Sequence, residues 1–68
     1  MPKVGAHVRI AHFGGGFEAG TIVGVREQGR RLEVRGEAGK THEFVLSPAT
    51  ARFVSAASAQ GPRLELLG

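Results

Sequence analysis

Apolar and polar residues alternate along three early stretches of the chain, which is the spacing of β-strands with one buried face. The first stretch runs from Ala6 to Ala11, the second from Phe17 to Glu27 and the third from Arg30 to Gly36. Strict alternation fails near Gly24 in the second stretch. A glycine at that point favours a bulge or a sharp bend, as small barrels use to turn a long strand.

The second and third strands are predicted to form a hairpin around a two-residue turn at Gln28-Gly29. In that register Val25 faces Leu32 and Val23 faces Val34, so apolar side chains meet across the pair. This agreement supports both the turn and the register.

The same register sets Arg26 opposite Arg31. Two like charges directly opposite each other weaken a hairpin unless another group neutralises them. Two sources of negative charge are open at this point: Glu33 from within the chain, or an anionic ligand from outside.

A second hairpin is predicted around a three-residue turn at Ala38-Gly39-Lys40, with Gly39 supplying a positive φ. A slip of one residue would place Glu43 opposite a core position, which favours the predicted register. That register pairs Arg35 with Glu43, Val34 with Phe44, and Leu32 with Leu46.

The last third of the chain is predicted to contain less regular structure. Ser47-Pro48 is typical of a helix start, but the segment after it is long enough only for one 3₁₀ turn before a short fifth strand at Phe53-Val54. We therefore divide the chain into a barrel over residues 1–54, an Ala/Ser/Gly/Pro linker over 55–62, and a strand or arm over 63–68.

Size and composition limit the possible functions. A chain of 68 residues without cysteine holds one domain with a small core and no disulfide. The formal net charge of +3 favours a polyanionic partner, although an excess of Arg, Gly and Ala with no Asp, Asn, Trp or Tyr is also typical of a GC-rich coding sequence. With no signal-peptide pattern and no apolar run that could span a bilayer, we predict a cytoplasmic protein without membrane association.

The strand pattern, the glycine-rich loop, the bent second strand and the one-turn link before the fifth strand together resemble the SH3-like small β-barrel. The resemblance covers about Val4 to Val54, and the stretches 8–10, 20–25 and 32–34 look like its KOW and Tudor branches. It implies an all-β fold of about five antiparallel strands, and the renewed alternation from Arg63 to Leu67 allows a sixth C-terminal strand or arm. KOW modules bind RNA or RNA-polymerase partners, and Gly20 would occupy the position of the KOW glycine.

A basic set of residues is the first candidate for nucleic-acid binding. Arginine and lysine side chains contact phosphates, and most of these residues lie on or beside the first predicted hairpin. Glutamates interleave with them, so a surface of solvated ion pairs is the alternative interpretation. The candidate residues are Arg26, Arg30, Arg31, Arg35, Arg9 and Lys40.

The loop at Gly14, Gly15 and Gly16 is the second candidate, because Phe13 and Phe17 bracket it. Aromatic rings in such a loop stack on bases with little dependence on sequence. The alternative is that both rings, Phe17 above all, fold inward and anchor the loop. No Lys-Ser/Thr pair follows the glycines, so the loop is not a phosphate-binding P-loop.

The leading hypothesis is thus a non-enzymatic nucleic-acid-binding module, DNA or RNA, that uses no cofactor. The alternative is a protein-interaction module or homo-oligomer assembled through Leu64, Leu66 and Leu67 of the C-terminal arm. A third hypothesis is an oligomeric enzyme, since type II dihydrofolate reductases are similar in outline. The spacing of His7, His12 and His42 predicts no metal site, and no catalytic constellation is evident.

Overall fold

The chain folds into a closed antiparallel barrel of six strands in a computed structural model that describes residues 2–57 and 61–66. Strands that follow each other in the chain are neighbours in space, and the last strand pairs with the first to complete the ring. This confirms the predicted fold class, a small all-β antiparallel barrel with a sixth C-terminal strand. The strands are β1 (His7–Ala11), β2 (Phe17–Arg26), β3 (Arg31–Gly36), β4 (Thr41–Ser47), β5 (Arg52–Ser55) and β6 (Arg63–Leu66).

Every strand contributes at least one side chain to the core, as alternation along each strand requires. Leu64 of β6 lies opposite Ile10 of β1 on one side and Phe53 of β5 on the other. The terminal leucine segment therefore packs on its own chain and closes the barrel. The buried apolar residues are Val8, Ile10, Ile22, Leu32, Val34, Phe44, Phe53 and Leu64.

A β-bulge in β2 changes part of the predicted first hairpin. Val25 pairs with Leu32 as predicted, but the register shifts between Ile22 and Gly24, and Ile22 takes the place opposite Val34. The predicted pairing of Val23 with Val34 is wrong for this reason. Val23 is the additional residue of the bulge, and 45% of its surface is exposed.

The turn of this hairpin lies at the predicted position. Residues 27–29 form this turn, and the Arg30 amide donates to the Glu27 carbonyl at 3.2 Å. Gln28 has φ 60° and ψ 35° and Gly29 has φ 89°, the left-handed values of a type I′ turn. Arg26 consequently stands opposite Arg31, as predicted.

The second hairpin differs from its prediction by two residues. The Gly36 amide donates to the Lys40 carbonyl at 2.9 Å, so the three-residue turn covers residues 37–39 rather than 38–40. Gly39, with φ 88°, is then the last residue of the turn, where three-residue hairpin loops need a left-handed residue. An error of two residues leaves every side chain on its predicted face. The actual pairs are Leu32 with Phe44, Val34 with His42, Glu33 with Glu43, and Arg35 with Thr41.

A single turn joins β4 to β5, at the predicted place. The Ala51 amide donates to the Ser47 carbonyl at 2.8 Å, a bond across four residues rather than the three of a 3₁₀ turn. Of the predicted linker, Ser55 belongs to β5, and residues 58–60 lie outside the described residues.

Two glycines lie opposite each other on β2 and β3. Gly20 of β2 lies opposite Val8 of β1 and Gly36 of β3. A Cβ atom on Gly20 would stand 2.8 Å from Cγ1 of Val34 and 3.3 Å from a backbone oxygen, distances that require neighbouring atoms to move. A side chain at this position therefore overpacks the core.

We expect Gly20→Ala to lower the free energy of unfolding by about 1–3 kcal/mol, the usual cost of overpacking. Gly24→Ala is the control outside the core: its Cβ would stand 2.9 Å from Oε1 of Glu33, which can move into solvent, and 3.2 Å from the Glu33 Cβ, so we expect a smaller loss. Urea unfolding of the two variants measures the difference. An equal loss in both would contradict the role assigned to Gly20.

Candidate nucleic-acid interface

The two ends of the barrel carry different sets of the predicted binding residues. At one end lie the β1–β2 loop, the β3–β4 turn, the last residue of β5 and the first residue of β6; we name it the aromatic end because the loop carries Phe13. At the opposite end lie the β2–β3 and β4–β5 turns; we name it the hairpin end because it carries Arg26, Arg30 and Arg31. The structure thus separates the predicted phosphate contacts at Arg26, Arg30 and Arg31 from the predicted stacking residue.

Carboxylates of the chain itself neutralise the like-charged pair at the hairpin end. Nη2 of Arg26 lies 2.9 Å from Oε1 of Glu33, the internal partner considered from the sequence. Arg31 donates from Nε to Glu27 at 2.7 Å and from Nη1 to Glu43 at 2.8 Å. Its hydrogen bonds to Glu43 and Glu27 raise the pKa of Arg31 above the ordinary arginine value. Neither guanidinium needs an external anion for charge balance.

The other predicted cations are dispersed. Arg30 lies at the hairpin end, Arg35 stands on β3, and Lys40 follows the β3–β4 turn; none of the three forms an ion pair with the described residues. Arg9 lies on β1 and pairs with Glu65 of β6. No single face collects the six residues.

A shallow groove of about 380 Å³ lies beside the glycine loop at the aromatic end. We call it the aromatic groove, because 71% of the surface of Phe13 and 62% of that of Phe17 are exposed. The alternative in which both rings fold inward is wrong. The aromatic groove is lined by Ala11, residues 12–16, Phe17, Arg63 and Glu65.

An arginine holds the Phe17 ring in place on the outer wall. The guanidinium carbon of Arg9 lies 4.4 Å from the ring centroid, within the range of cation–π attraction. Glu65 accepts a hydrogen bond from Nε of the same arginine at 2.9 Å and so fixes the guanidinium. Phe17 also lies opposite Ala11, whose small side chain leaves room for the ring.

The three glycines of the loop all adopt left-handed backbone conformations. Their φ values are 94°, 109° and 90°, which residues with a Cβ adopt only with strain. The His12 amide donates to the Gly16 carbonyl at 3.0 Å, and the Gly15 amide donates to the His12 carbonyl at 3.1 Å. The loop is therefore a closed turn that presents Phe13 at its exposed side.

Glu18 ties this loop to the β3–β4 turn, a role that sequence reasoning missed. Its carboxylate lies 3.0 Å from Nε2 of His12 and accepts a hydrogen bond from the Ala38 amide at 3.3 Å. The side chain is 14% exposed and lies over Gly36, where a Cβ would collide with the carboxylate. The Ala38 bond, and after it the His12 bond, hold the pKa of Glu18 below its ordinary value of 4.5.

Sequence reasoning also missed the location of Arg63. It was grouped with the C-terminal arm, yet it starts β6 opposite Ala11 and lines the aromatic groove. The assembly residues are separated: Leu64 is buried in the core, Leu66 is 49% exposed, and Leu67 lies outside the described residues.

Neither a metal-binding cluster nor a membrane-spanning helix occurs among the described residues. Residues 2–57 and 61–66 contain no group of three or more His, Cys, Asp or Glu placed to hold a metal ion. In the same part of the chain, no helix has the length and apolar character that crossing a membrane requires.

Comparison with known proteins assigns the chain to no family. No family model matches the chain, and searches of curated proteins and of solved structures found no match.

We expect Glu18→Gln to lower the midpoint of urea unfolding at neutral pH, because the ionised carboxylate accepts both hydrogen bonds. The folded-state pKa of Glu18 is lowered, so its stabilisation is complete above the ordinary value of 4.5 and is lost as the pH falls through the folded pKa. The two midpoints should converge in acid. Glu37→Gln, an exposed neighbour in the turn, is the control, and a gap between wild type and Glu18→Gln that persisted in acid would contradict the argument.

Proposed function

We propose that the protein is a non-enzymatic module that binds single-stranded nucleic acid through the aromatic groove. The observation that carries the proposal is the pair of exposed phenylalanine rings, Phe13 and Phe17, on either side of one glycine loop. A domain with so small a core would be expected to bury large apolar side chains. Two rings that instead stay exposed beside an open groove are positioned to contact a ligand.

Bases are the ligands that these rings suit best. Each base has a π-face, and stacking on an aromatic side chain needs no particular base edge. In a duplex both faces of a base are covered by its neighbours, so the rings favour a single strand. The groove volume of about 380 Å³ lies within the usual range of about 300–1,000 Å³ for ligand sites.

The net charge supports a polyanionic ligand, and the ion pairs indicate which arginines are available to contact it. The formal net charge is +3, and Arg63 lines the groove without an ion pair among the described residues. Arg26 and Arg31 already have carboxylate partners, so a phosphate would have to displace these partners. We therefore assign the main phosphate contacts to the aromatic end, and a lesser, non-specific contribution to Arg30 at the hairpin end.

Within the SH3-like class we favour the KOW-like branch. The stretch that resembles the KOW motif, residues 20–25, is the bent half of β2, and Gly20 is packed between two strands. A Tudor-like cage needs several aromatic rings around one cavity. Phe44 and Phe53 are in the core, which leaves two rings for such a cage.

The first prediction concerns the rings. Phe13→Ala and Phe17→Ala should each raise the Kd for short single-stranded DNA or RNA by about 5- to 150-fold, since a base stack contributes about 1–3 kcal/mol. Val4→Ala, a 64% exposed apolar residue at the opposite end, should leave the Kd unchanged. Fluorescence anisotropy with labelled homopolymers and a matched duplex measures the three values. Equal affinity for the duplex, or insensitivity to both ring variants, would overturn the proposal.

The second prediction concerns salt. The logarithm of the binding constant should fall linearly with the logarithm of salt concentration, by about 0.7 for each phosphate contact on a single strand. Arg63→Gln should reduce that slope by about 0.7, whereas Arg31→Gln should change it less, because Arg31 is paired internally. If Arg31→Gln has the larger effect, the hairpin end rather than the aromatic end holds the phosphates.

A further inference from the structure

A second depression, of about 190 Å³, lies on the outer wall of the barrel across β1, β2 and β3. We call it the Thr21 pocket after the residue at its centre. His7 and Arg35 flank Thr21, and the small residues Ala19, Gly20 and Gly36 form the floor beside it. Glu37 is the remaining lining residue.

Strand register produces the shape of this pocket. Thr21 is paired with His7 on one side and with Arg35 on the other, so the three residues form a row across three strands. The flanking strands lie two strand spacings apart, about 10 Å, and the short threonine between two long side chains leaves a saddle. All three side chains carry hydrogen-bond donors: a ring N–H, a hydroxyl and a guanidinium.

Arg35 is well suited to bind an anion in this saddle. Unlike Arg9, Arg26 and Arg31, it has no carboxylate partner among residues 2–57 and 61–66. A guanidinium offers two parallel N–H donors that match two oxygens of a phosphate. The carboxylate of Glu37 lies on the rim and repels an anion, so neutralising Glu37 should strengthen anion binding.

The pocket continues the aromatic groove along one strand. Phe17, Ala19 and Thr21 occupy successive outward positions of β2, about 13 Å from first to last. Arg9 lies opposite Ala19, between the two sites. A flexible chain of nucleotides stacked at Phe17 would therefore pass over Arg9 and reach Thr21.

We propose that the Thr21 pocket is a phosphate subsite in which Arg35, Thr21 and His7 donate hydrogen bonds to the phosphate oxygens. Assigning that phosphate to the backbone of a bound nucleic acid rests on the proposed function. Binding of free phosphate does not, because it depends only on these donors.

The test is a titration of the ¹⁵N-labelled protein with inorganic phosphate at constant ionic strength, followed by amide and arginine Nε–H NMR shifts. Shifts should centre on Thr21 and Arg35. Arg35→Gln should weaken phosphate binding by about tenfold, as expected for a charge-assisted hydrogen bond, and Thr21→Val by a smaller factor. Glu37→Gln should strengthen it. Arg52→Gln on β5, two strands from β3 and equal in charge change, is the matched control.

The outcomes separate the subsite from the proposed function. Shifts spread evenly over all arginines, or equal effects of Arg35→Gln and Arg52→Gln, would overturn the subsite. The same variants are then titrated with a short single-stranded oligonucleotide. Oligonucleotide binding that depends on Phe17 but not on Arg35 would overturn the assignment of the subsite to a nucleic-acid phosphate and leave the proposed function standing. Phosphate binding that depends on Arg35, with no oligonucleotide binding by the wild-type chain, would support the subsite and reject the proposed function.

Discussion

The closure of the barrel by β6 is the constraint on which the rest of the structure depends. Leu64 packs between Ile10 of the first strand and Phe53 of the fifth, and this contact joins the two ends of the sheet. A chain of 68 residues without cysteine has no disulfide to replace it. Once the inward positions are set by this closure, period-two alternation determines which residues face outward. The surfaces assigned to function are therefore consequences of the core.

The positions of the charged residues divide the outer surface into a part where arginines are paired with carboxylates and a part that is more open to a ligand. The register sets Arg26 beside Arg31 and Glu33 beside Glu43, so each like-charged pair is balanced by the other. An arginine-rich sequence thus folds into a largely self-neutralised surface at the hairpin end. Exposed rings and unpaired donors occur instead near the glycine loop and along β2. The basic composition alone does not show which arginines have carboxylate partners.

The sequence predicted the faces of the strands better than their contacts. Alternation is the same after a shift of two residues, so the β3–β4 pairing could be misplaced without moving Phe44 from the core. Likewise, a bulge near Gly24 is predictable from the sequence, but the residue that it displaces is not. The predicted register sets Val23 opposite Val34, whereas Ile22 lies there in the structure. The support of Phe17 by Arg9 and Glu65 depends on pairing between residues 56 positions apart, which local patterns do not contain.

The pairing of β1 with β6 also affects how the chain folds and how it fails to fold. Contacts between strands so distant in sequence form slowly, because nearly the whole chain must first close into a loop. Until β6 docks, β1 and β5 both present unpaired backbone donors and acceptors, with Ile10 and Phe53 uncovered between them. Such edges readily accept a strand from another molecule. The β6 segment of a second copy has the sequence to fill that gap, so the strand that completes the monomer is also the one that an intermediate would exchange in a domain-swapped dimer.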